Sequence, residues 1–181
     1  MKKAFLVLLI TFISGYSFAQ ENIKEISILH WNDFHARNVP YKTSKKKDGE
    51  TINYFVGGTA SMLGYLNKFR DENSLVLHGG DDYQGSPISS ITKGMSQIEL
   101  LKLFNLDAFV VGNHEFDYGS AELASGLSHL NCDVLAANLY IPAEYKNFAK
   151  SYTIKEKNGV KIGILGVSPE DLKTLTLPKN V

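Results

Sequence analysis

The chain has 181 residues, enough for one hydrophobic core, and carries 19 basic against 19 acidic residues for a formal net charge of zero. That balance argues against a surface built to coat nucleic acid. A single cysteine, Cys132, rules out an intramolecular disulfide, and its place at the start of an apolar run makes it a small packed hydrophobe.

Residues 1–19 read as a secretory signal. Met1-Lys2-Lys3 supplies the charged start, Ala4 to Ile13 the apolar middle, and Ser17 and Ala19 the small residues before a cleavage point between Ala19 and Gln20. The apolar run is short for a membrane span, which favours export and removal over a stable membrane anchor, and no cysteine follows the cleavage point to take a lipid. Removal takes away Lys2 and Lys3 and no acid, so residues 20–181 carry 17 basic against 19 acidic residues, a balance of −2. The expected location is periplasmic or extracellular.

Glu25 to Trp31 is the first predicted strand, and it runs into Asn32-Asp33-Phe34-His35. In extended chain, residues two apart share a face, so Asp33 and His35 can converge on one ion. The polar stretch Asn38 to Gly58, centred on Lys45-Lys46-Lys47-Asp48-Gly49-Glu50, reads as a solvated loop. Thr59 to Glu72 places Met62, Leu66 and Phe69 on a helical stripe that Leu63 widens.

Ser74 to His78 is the second predicted strand and ends in Gly79-Gly80-Asp81-Asp82. The glycines let the backbone turn and bring a carboxylate close to a ligand above the sheet edge. Asp81 takes that inner role, Asp82 is expected to be solvated, and His78 is read as a hydrogen-bonded strand residue. Gln97 to Asn105 is expected as a helix leading to a third strand, Asp107 to Val111.

That strand stops at Gly112-Asn113-His114-Glu115-Phe116-Asp117. Asn113 offers an amide oxygen to a cation, His114 can exchange a proton near neutral pH, and Asp117 is close enough to orient the imidazole. Taken alone, the same residues fit a polar turn between strand and helix. Ala121 to Leu130 carries a second helical stripe, with His129 off it and exposed, and Cys132 to Ala137 is the fourth strand, ending at Asn138, whose polar side chain is read as part of the same rim of strand ends. Ser151 to Lys157 and Val160 to Val167 flank Asn158-Gly159, a dipeptide suited to a two-residue hairpin turn.

Strands alternating with helices imply parallel pairing, which places the strand C-termini, and the ligand crevice, on one edge. Asp33, His35, Asp81, Asn113 and His114 all fall there. Carboxylate, imidazole and amide oxygen without thiolate suit Zn, Mn or Mg. Two such ions about 4 Å apart repel by about 16 kcal/mol at an effective dielectric near 20, so a bridging anion is needed, and Asp81 is the candidate.

With these motifs in place, the chain resembles the N-terminal part of the 5′-nucleotidase and UDP-sugar hydrolase family of calcineurin-like metallophosphatases. The resemblance is carried by Ile28-Leu29-His30-Trp31-Asn32-Asp33-Phe34-His35, Gly80-Asp81-Asp82-Tyr83-Gln84-Gly85-Ser86 and Gly112-Asn113-His114-Glu115-Phe116-Asp117-Tyr118-Gly119, with Ala137-Asn138-Leu139 and Gly159 to Gly166 following in order. It implies an α/β fold, a two-sheet β-sandwich flanked by helices, incomplete at the C-terminus. It further implies two divalent metal ions: Asp33 and His35 on the first, Asp81 bridging, Asn113 on the second, with His114 and Asp117 as the catalytic dyad. The implied reaction is attack of a metal-activated hydroxide on the phosphate ester of a small nucleotide.

Family members continue with a further metal-binding histidine, a Gly-His-x-His segment and a C-terminal domain that grips the nucleoside. Their absence here leads to the expectation that residues 20–181 are the N-terminal portion of the metallophosphatase domain, weakly active or inactive alone. Two alternatives stay open: a non-catalytic metal- or nucleotide-binding module, and the same fold acting on cyclic nucleotides, nucleotide sugars or sulfur esters.

Overall fold

The computed structural model describes residues 23–140 and 148–181, so the expected signal, residues 1–19, lies outside the described residues. In chain order the elements are β1 (Ser27–Trp31), β2 (Tyr41–Lys47), β3 (Glu50–Val56), α1 (Thr59–Phe69), β4 (Ser74–His78), α2 (Pro87–Ile91), α3 (Met95–Lys102), β5 (Ala108–Val110), α4 (Ser120–Leu127), β6 (Asp133–Leu135), β7 (Tyr152–Lys157), β8 (Val160–Leu165) and α5 (Leu172–Leu175), with 3₁₀ turns at His114–Phe116 and Pro178–Asn180.

Strands β1, β4, β5 and β6 form one parallel sheet in the order β1-β4-β5-β6. Its inner strand β4 is apolar except at its ends and almost wholly buried, as a parallel strand covered on both faces should be. Leu66 of α1, Ile98 and Leu101 of α3, and Leu123 and Leu127 of α4 bury against Val76, Phe109 and Val134 of the sheet. Parallel pairing leaves the loops after β1, β4 and β5 on one edge, which places the site.

The hairpin β7–β8 forms around Asn158-Gly159 as expected, with φ of +50° and +70° at the two turn residues. It joins the parallel sheet through a bridge between Leu135 and Lys150. Asp133, at the start of β6, gathers Lys150 Nζ at 2.6 Å, Lys155 Nζ at 2.8 Å and Thr153 Oγ1 at 2.7 Å. These hold its carboxyl well below the usual carboxylate range. Next to it, half-buried Cys132 behaves as the expected small hydrophobe: burial, helped by the charge of Asp133, pushes its thiol up to about 12.

Two expectations are corrected. The stretch Asn38 to Gly58 is no featureless loop: β2 and β3 pair antiparallel over seven residues each, turning at Asp48-Gly49, where φ is +52° and +86°. An Asp-Gly pair is a hairpin turn, but β2 is lysine-rich and both strands are exposed along most of their length, which masks the signal. Phe69 also fails to join the core. Helix α1 stops at it, Arg70 turns extended and sends Nη2 to the Phe104 carbonyl, and Phe69 stays exposed beside Tyr65 with ring centroids 6.1 Å apart.

Candidate metal centre

The parallel ladder of β1 and β4 continues past both strands. Gly79 N donates to Trp31 O at 2.8 Å, Asp33 N to Gly80 O at 3.0 Å and His35 N to Asp81 O at 3.1 Å. To follow that path, Asp33, His35, Ala36 and Asp81 adopt left-handed φ values of +53°, +53°, +49° and +62°. Four non-glycine residues in this region are costly, and such clusters belong to functional sites. The result is a group of three ligand atoms, one each from Asp33, His35 and Asp81, all within 4.8 Å of one another.

Glycine is required at two points beneath Asp81. A Cβ on Gly80, at φ +91°, would stand 2.6 Å from both Val110 O and Gly112 N. A Cβ on Gly112 would run into the Asp81 carboxylate. The loops after β4 and β5 therefore touch backbone to backbone, which no larger residue permits.

Hydrogen bonds set the face each imidazole presents. His35 Nδ1 lies 3.2 Å from the Gln84 carbonyl oxygen, so Nδ1–H donates and Nε2 is left as a ligand atom, 3.7 Å from Asp33 Oδ1. His114 Nδ1 donates to Asp117 Oδ2 at 2.9 Å, leaving its Nε2 free in turn. The His35 and His114 rings meet edge to face, with centroids 4.9 Å apart, so the second histidine stands beside the three-donor group. His114 N also donates to Asp81 Oδ1 at 2.9 Å. Asn113 uses Nδ2 on the Leu175 carbonyl at 3.2 Å, which leaves its amide oxygen available.

Asp82 is not solvated, contrary to expectation. It is 1 % exposed, with Oδ1 accepting from Ala36 N at 3.2 Å and Gln97 Nε2 at 3.0 Å, and Oδ2 from His78 Nε2 at 3.2 Å. His78 is the expected satisfied strand residue, its Nδ1 accepting from Gly80 N at 2.8 Å. Asn138 does not join the expected rim of strand ends: among the described residues its side chain bonds to Ser168. Its amide clasps Ser168, donating to Ser168 O and accepting from Ser168 N, both at 2.8 Å, which fastens the chain after β8.

Sequence reasoning passed over two groups. Thr176 Oγ1 donates to Asp117 Oδ1 at 3.1 Å from 59 residues downstream, and no local pattern could reveal it. Glu115 lies inside the motif yet is fully buried. Burial pushes its carboxyl up, opposed by hydrogen bonds from the Asp82 and Asp81 backbone.

The donor chemistry fits a divalent cation. Two carboxylates and an imidazole with its lone pair exposed converge, and among the described residues no lysine or arginine pairs with Asp33 or Asp81 to neutralise them.

Comparison with known proteins agrees. Residues 26–180 match the family model described as calcineurin-like phosphoesterase. An NAD 5′-nucleotidase of Haemophilus influenzae is 36% identical over 148 residues, 79% of this chain and 24% of that protein. The solved structure of Haemophilus influenzae NAD nucleotidase superposes with a TM-score of 0.73 at 32% identity, covering 82% of this chain and 27% of the other. That of a 5′-nucleotidase precursor from Thermus thermophilus gives 0.74 at 28% identity, covering 82% and 29%. The chain spans about a quarter of the length of the curated relatives it matches.

Proposed function

Because the chain belongs to the calcineurin-like phosphoesterase family of metal-dependent hydrolases, we propose that it serves an exported 5′-nucleotidase-type enzyme that removes phosphate from small nucleotides. The observation that carries this reading is the convergence of Asp33, His35 and Asp81 beside the His114–Asp117 pair. The names of the similar proteins support the nucleotide as substrate, and the charged, apolar, then small-residue order of residues 1–19 supports export.

Asp33, His35 and Asp81, together with the amide oxygen of Asn113, would hold the divalent cations, and zinc, manganese and magnesium all suit these donors. When bound there, such cations would supply neutralisation of phosphoryl oxygens and a more acidic water at neutral pH. The chain's own residues do the rest. Gln84 keeps His35 in the tautomer that offers Nε2 outward, and Asp117 does the same for His114. His114 Nε2 meets the developing charge on the phosphoryl group or delivers a proton to the leaving oxygen, and Asp117 stabilises the imidazolium this chemistry requires.

Phosphate release from AMP by the full-length protein, with Mn²⁺ or Zn²⁺ and with a chelator, tests the reading. Chelator-sensitive release supports it, and no release in either metal overturns it.

A further inference from the structure

Glu115 is the one polar side chain of the strand-end motif that the reaction above does not use. It is 0 % exposed, and three backbone N–H groups converge on it: Asp81 N to Oε2 at 2.9 Å, Gly112 N to Oε2 at 2.8 Å and Asp82 N to Oε1 at 2.7 Å. The first and last belong to the loop after β4, the second to the loop after β5. Among the described residues both of its carboxyl oxygens accept backbone donors from these two loops.

The two loops it joins rise from a short shared ladder. Strands β4 and β5 pair over only two residues, Leu77 with Ala108 and His78 with Phe109. Beyond them Asp81 must hold a left-handed φ of +62°, a conformation that neighbouring contacts have to impose. The Asp81 amide is fixed by Glu115, and the Asp81 carboxylate by the amide of His114, the residue before Glu115 in the chain. The two bonds close a small ring between the loops.

We propose that Glu115 is the positioning residue of the metal centre, a buried carboxylate that fixes the peptide carrying Asp81, and so its ligand oxygens, against the Asn113–His114 turn. This rests on the reading that Asp33, His35 and Asp81 hold a cation. Replacement by glutamine keeps the volume, but one acceptor becomes an NH₂ group facing a backbone N–H, so whichever way the amide is turned a bond is lost.

The test uses the full-length protein and Mn²⁺ as probe, with free ion followed by electron paramagnetic resonance. Glu115→Gln is expected to weaken Mn²⁺ binding by about tenfold or more, with much of the lost AMP hydrolysis returning at saturating Mn²⁺. Leu123→Ala, which truncates the core away from the site, is expected to lower the melting temperature and leave Mn²⁺ affinity unchanged. Equal weakening in both variants, or unchanged affinity in Glu115→Gln, overturns the proposal.

Should Glu115→Gln fail to fold, amide exchange in the unmodified protein serves instead. The Asp81, Asp82 and Gly112 amides should exchange far more slowly than those of the exposed Asp48-Gly49 turn, and equal rates would overturn the assignment. Mn²⁺ binding without AMP hydrolysis removes only the phosphatase reading, whereas no Mn²⁺ binding at all removes both.

Discussion

His114 Nδ1 and Asp117 Oδ2 lie 2.9 Å apart in a single 3₁₀ turn, so the histidine is held in one tautomer by a carboxylate three residues on. The pair sits beside the donor group and is not among its three ligands. Chemistry and metal binding should therefore separate. His114→Ala is expected to lower kcat for AMP by roughly 10²- to 10⁴-fold, the usual worth of a general acid or base. Mn²⁺ affinity should stay near that of the unmodified protein, and a parallel collapse of affinity would place His114 among the ligands.

Asp81→Ala should show the opposite pattern. Asp81 offers a carboxylate oxygen to the three-donor group, and its carboxylate also accepts the His114 amide. Loss of Mn²⁺ affinity should be at least the roughly 10- to 100-fold that removing a mere orienting partner costs. Calorimetric titration with Mn²⁺ reads it directly.

Removing Asp82 should be felt as lost stability. Asp82→Ala strands the Ala36 amide, Gln97 Nε2 and His78 Nε2 in a buried setting. The expected loss is roughly 1–3 kcal/mol, or more if none of the three groups finds water, measured by urea unfolding. A variant as stable as the unmodified protein would show that water replaces the carboxylate without cost.

Asp133 sets a pH dependence of known sign. Its carboxyl is held below its ordinary value by Lys150, Lys155 and Thr153. A lowered folded-state value contributes stability that is present above the unfolded value, near 4, and is lost as pH falls through the folded one. Asp133→Asn should therefore cost about 1 kcal/mol at pH 7, and the difference from the unmodified protein should shrink steadily below about pH 4. Melting temperatures of the two proteins at pH 7 and pH 3 check this.

The strand ends were legible because the chemistry there is local. Asp33 with His35, and His114 with Asp117, are close in sequence, and each pair follows an apolar run that stops abruptly. The two adjacent acids after Gly80 were harder, since Asp81 and Asp82 follow the same glycines. The left-handed turn at Asp81 sends the two side chains different ways, and only tertiary partners such as Gln97 tell which one is buried. Glu115 was hidden for a related reason: its donors lie on Asp81, Asp82 and Gly112, and backbone amides leave no imprint on side-chain pattern. The β2–β3 hairpin was missed because the lysines of β2 carry no apolar alternation, although Ile52, Tyr54 and Val56 alternate along β3.

Residues near the C-terminal end of the chain reach back to the turn that bears the dyad. Thr176 binds the Asp117 carboxylate, the Leu175 carbonyl takes the Asn113 amide, and Asn180 joins both Ser120 and the Asp117 backbone. A proteolytic nick around Thr174 would thus loosen both the Asp117 carboxylate and the Asn113 amide while leaving the Asp33, His35 and Asp81 donors in place, so a clipped preparation is expected to keep Mn²⁺ at those three donors, release no phosphate and pass for an inert homologue.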